Sequence, residues 1–65
     1  MTTAILLDEY LCKCNAKVQK WKNQKGYLII VILESVIQST FFTYDEKLAD
    51  TAFENNIYEC ENKTF

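Results

Sequence analysis

Sixty-five residues, 49% of them hydrophobic and 14% aromatic, with no proline and a net charge of −2, describe one small folded domain over 1–65 rather than a disordered tail. A domain this short buries only about 60% of the surface its unfolded chain exposes, so dense packing, self-association or a partner is the expected support. With no histidine, the Ser-His-Asp and Cys-His devices and the commonest zinc ligand are excluded, and a single glycine cannot build a phosphate-cradling loop or a dinucleotide fingerprint.

The first residues hold an apolar run of only Ala4 to Leu7 before Asp8 and Glu9, without a positive n-region, so no secretory signal is expected. The expected compartment is the cytoplasm. Cys12, Cys14 and Cys60 then read as reduced thiols, and the Asn62-Lys63-Thr64 glycosylation triplet as a chance match. Two periodicities compete over residues 4–22. Ala4, Leu7, Tyr10, Leu11, Cys14, Val18 and Trp21 share an arc of about 120° on a helix, which Thr3 could cap and Gly26 could stop. Tyr10, Cys12, Cys14, Ala16 and Val18 also alternate as in a strand, which Asn23-Gln24-Lys25-Gly26 would join to Tyr27 as a hairpin. The helix is favoured for its longer stripe and good helix formers, and the hairpin strand is the alternative.

Tyr27 to Tyr44 carries one charge, Glu34, and seven unbroken apolar residues from Tyr27 to Leu33. Its β-branched content predicts strand, one long or two short, breaking near Glu34 and Ser35. Polar residues at Glu34, Ser35, Gln38, Ser39, Thr40 and Thr43 argue against a membrane span. Thr43-Tyr44-Asp45-Glu46 has the form of a capping box and predicts a helix over 44–55, with Leu48, Ala49, Ala52 and Phe53 on one side. Residues 57–62 alternate again and predict a short edge strand guarded by Glu59 and Glu61. The expected fold is a small two-layer α+β domain, an antiparallel sheet built on residues 27–43 with the 44–55 helix packed on it.

Charge is divided along the chain. Residues 1–26 carry five lysines against Asp8 and Glu9, a net of +3, and residues 27–65 a net of −5. Such a layout suits self-pairing or a charged partner. Glu46, Asp50 and Glu54 line one helix face and, with Glu59 and Glu61, could imitate a row of nucleic-acid phosphates in a partner's basic groove. Lys13, Lys17, Lys20, Trp21 and Lys22 form the alternative basic face. An acidic chain without arginine is nevertheless a poor direct binder of nucleic acid.

Phe41 and Phe42 are adjacent and cannot both enter one core from a regular strand, so they and Tyr44 are candidate partner contacts. The 27–44 stretch is accordingly expected to be core on one face and interface on part of the other. A Cys-x-Cys pair with one distant cysteine matches zinc spacings poorly, and no metal, cofactor or catalytic residue is expected. The expected function is non-catalytic protein binding, as an inhibitor or regulator of a larger protein. Its isoleucine-, asparagine- and lysine-rich composition suits a phage or mobile-element product. A homo-oligomeric structural or assembly subunit and a nucleic-acid-binding module using the Lys13–Lys25 basic segment are the alternatives, and a protein partner could be a second copy of the chain as a homodimer.

Overall fold

The computed structural model describes residues 3–62: a four-stranded antiparallel sheet followed by one helix, the expected α+β class. The strands are β1 (Ile5–Leu11), β2 (Lys17–Lys22), β3 (Tyr27–Leu33) and β4 (Val36–Thr43), and the helix α1 is Glu46–Asn62. They pair in chain order, β1-β2-β3-β4, so every connection is a hairpin. The Asn62-Lys63-Thr64 triplet runs beyond the described residues, which also exclude Phe65.

Three expectations are corrected. The favoured helix over 4–22 is instead two strands, and the hairpin alternative holds: β2 pairs with β3 from Lys17↔Ile32 to Lys22↔Tyr27. In the sheet all of β1 is exposed, while Val18, set in β2 beside β3 and under α1, is completely buried. Tertiary pairing outweighs a propensity difference of a few tenths of a kcal/mol per residue. Secondly, the helix begins two residues later than the capping box implies. Asp45 is its N-cap, accepting from the Lys47 amide at 2.8 Å, while Thr43 Oγ1 accepts from the Asp45 amide at 3.1 Å.

The third correction concerns the tail. Residues 57–62 continue α1 rather than forming a last strand, because Ala49, Phe53, Ile57 and Cys60 keep a helical stripe running into the core. Asn56, expected with Asn55 to end the helix, donates to the Ala52 carbonyl one turn back, and Asn62 in the last turn donates to that of Tyr58.

The β2–β3 turn is closed by Asn23, whose Oδ1 accepts from the Lys25 and Gly26 amides at 2.8 and 2.9 Å. Gly26 is where backbone approaches backbone: a Cβ there would lie 2.6 Å from the Thr43 carbonyl oxygen. Its role is close packing of this turn against the end of β4, not the stopping of a helix. In the β3–β4 turn Glu34 and Ser35 both take positive φ, 52° and 66°.

The register divides the sheet into two faces. Val18, Ile29 and Val31 point toward α1 and form the core with Cys12, Ala16, Tyr27, Ala49, Phe53 and Cys60. α1 packs across β2, β3 and β4. One extra residue in each edge strand, Leu7 in β1 and Gln38 in β4, bulges the ladder and spoils the edge as a template for further pairing.

Candidate functional site

Among the described residues, no second layer covers the side of the sheet opposite α1. Its side chains stand in three registered rows: Leu6, Trp21, Leu28 and Phe42; Glu9, Gln19, Ile30 and Thr40; Leu11, Lys17, Ile32 and Ile37. Eight of the twelve are apolar, and two, Glu9 and Lys17, are charged. Leu11 and Ile37 are 62% and 59% exposed, while Leu28, Ile30 and Ile32 are half-buried only by their neighbours on the same sheet. Four strands about 4.8 Å apart and about seven residues long give a footprint of roughly 440 Å² before side-chain relief. Its apolar part falls within the roughly 300–600 Å² of the largest patch on a typical monomer, a patch that is often functional.

The polar groups of this face are held in order. Trp21 Nε1 donates to Gln19 Oε1 at 3.0 Å, and Gln19 Nε2 donates to Glu9 Oε2 at 2.6 Å. This line from the middle of the sheet to its β1 edge satisfies the indole before anything covers it, so burying Trp21 strands no donor.

The residues singled out from sequence do not gather into one site. Phe41 and Phe42 point to opposite faces, as adjacent strand residues must, and Phe42 alone belongs to the open face, with Tyr44 edge-on to it at 5.1 Å. The acidic set is largely engaged within the chain. Asp50 pairs with Lys20, Glu61 accepts from the Lys13 amide at 2.8 Å and lies 3.9 Å from its ammonium, and Glu46 accepts from the Tyr27 hydroxyl at 3.0 Å. Glu54 and Glu59 remain exposed, Glu59 at the rim of the groove between α1 and the sheet. The basic set is scattered: Lys17 and Trp21 on the open face, Lys20 and Lys22 toward the helix side, Lys13 in the β1–β2 turn. Lys22 sits 5.5 Å from the Tyr27 ring centroid, a cation–π contact rather than part of a basic groove.

The three thiols lie close together where the β1–β2 turn meets the end of α1, with the Cys14 thiol 3.8 Å from the Cys60 carbonyl. Burial pushes the Cys12 thiol up to about 12, helped by its hydrogen bond with Cys60 and by the neighbouring Cys60, Cys14 and Glu61. No group of His, Cys, Asp or Glu among the described residues is arranged to hold a metal ion, nor is any described helix long and apolar enough to cross a membrane.

Leu6, Leu11, Leu28, Ile30, Ile32 and Ile37 are the members of the open face that sequence reasoning left among the core or the elements. The available signal was the unbroken run 27–33, since a strand apolar on both faces needs cover on both. In comparisons with known proteins the chain matches no family model, no curated protein and no solved structure.

Proposed function

We propose that this chain is a small non-catalytic protein-binding protein that works through the sheet face opposite α1, as an inhibitor or regulator of a larger protein. The observation that carries this reading is the open sheet face: eight apolar side chains aligned in register, with no covering layer among the described residues. Its three free thiols suit a reducing compartment, and we place its action in the cytoplasm on that ground. The acidic mimic loses support from the pairing of Asp50 and Glu61 with the chain's own lysines.

Capture from the source cell with two variant baits tests the reading. Ile30→Lys, checked for native circular dichroism, is expected to lose the partner that wild type retains, whereas Glu54→Lys keeps it. The opposite pattern, loss with Glu54→Lys and retention with Ile30→Lys, returns the binding surface to the acidic helix.

A further inference from the structure

We propose that the occupant of the open sheet face is a second copy of this chain, packed sheet on sheet about a two-fold axis that runs along the strands between β2 and β3. This rests on the reading of that face as a protein-binding surface and names what covers it in the free chain, a second copy that a larger partner must displace. The two edges are poor candidates for self-association, because each is bulged and β1 presents Asp8 and Glu9. The face is a good one. Its footprint, roughly 440 Å² before side-chain relief, lies near the ~500 Å² per partner at the low end of specific interfaces.

The choice of axis follows from which side chains meet. A two-fold axis across the strands would place Glu9 of one copy over Glu9 of the other, burying like charges together. An axis along the strands reverses strand order and keeps the rows. Leu6 then lies over Phe42 and Trp21 over Leu28, so each ring of the first row meets a leucine and none meets a ring. In the other rows Glu9 lies over Thr40 and Leu11 over Ile37, and no charge faces its like. Stacked sheets cross at about 30°, which displaces the edge strands by about 4 Å, roughly one residue, and leaves Glu9 within reach of position 40. The interface is isologous, so it closes at two copies.

The test uses the full chain and its single tryptophan, which lies inside the interface. Sedimentation from about 1 µM to about 200 µM is expected to show the mass rise from 7.6 kDa to twice that, with Trp21 emission moving to the blue at the same midpoint. Thr40→Glu places a carboxylate near the partner's Glu9 and weakens the dimer about tenfold or more, whereas Thr40→Lys does not. Adding Glu9→Lys to Thr40→Glu restores it. A constant 7.6 kDa mass overturns the inference and leaves the protein-binding reading to the bait comparison. A dimer that dissociates without moving Trp21 emission, or one that Thr40→Glu and Thr40→Lys weaken equally, also overturns it.

Discussion

Cys12 shows how far a single side chain's chemistry is set by its surroundings. It is 3% exposed, and burial followed by the hydrogen bond with Cys60 holds it as the neutral thiol. Since the thiolate is the nucleophile, Cys12 is predicted to resist iodoacetamide at pH 8 while half-buried Cys14 reacts, the difference vanishing in urea. Peptide mapping decides it, and equal native rates would contradict the assignment. The linkage has a definite sign: the folded value, about 12, lies above the ordinary 9.0, so the unfolded chain gives up this proton first. Stability from the buried neutral thiol is intact below pH 9.0 and declines as pH rises toward 12. Buried thiols were readable from sequence as the plain alternative to a metal site. The reason for Gly26 was not, because its neighbour Thr43 lies seventeen positions away and only the β3–β4 ladder brings it close.

At the level of elements, the β3–β4 turn carries a local strain. Glu34 and Ser35 both hold left-handed φ, which costs a residue with a Cβ about 1–2 kcal/mol. Two-residue hairpin turns of this shape favour Asn-Gly. The double substitution Glu34→Asn, Ser35→Gly is therefore predicted to stabilise the fold by about 1 kcal/mol, net of the extra freedom glycine gives the unfolded chain. Urea midpoints at unchanged slope would show it, and a lower midpoint would contradict the strain. The break at these two residues was legible in the sequence, because an Ile- and Val-rich run stops there and resumes. The identity of residues 4–22 was not. Both periods fit the same side chains, and the deciding factor is a partner strand, Ile29 to Ile32, that no local window contains. The tail failed for the converse reason: its alternation is local, while the stripe from Ala49 to Cys60 spans three turns.

For the whole molecule, the division of charge along the chain turns out to be internal. The basic N-terminal half and the acidic C-terminal half meet as Lys20 with Asp50 and Lys13 with Glu61, which fastens α1 to β2 and to the β1–β2 turn. Asp50 is about half exposed, so its pair is worth little in water: Asp50→Asn is predicted to cost no more than about 1 kcal/mol at low salt, with the loss shrinking in high salt. Paired denaturant titrations at two ionic strengths check this, and a loss indifferent to salt would point to packing instead. The sequence makes the existence of two halves plain and leaves their mutual docking hidden. That residues 27–44 have a core face and an interface face was legible, but which residues fall on which was not. Ile30 and Ile32 are as apolar and β-branched as Ile29 and Val31, and only the side on which α1 lands separates core from surface.

The unbranched strand order has a consequence for how the chain acquires its shape. Each strand meets the one made just before it, so every ladder closes through a short loop with little entropic penalty, unlike sandwiches whose pairings are distant in sequence. The helix follows the strands in synthesis as it does in sequence. A nascent sheet is thus apolar on both sides until α1 leaves the ribosome and seals one of them.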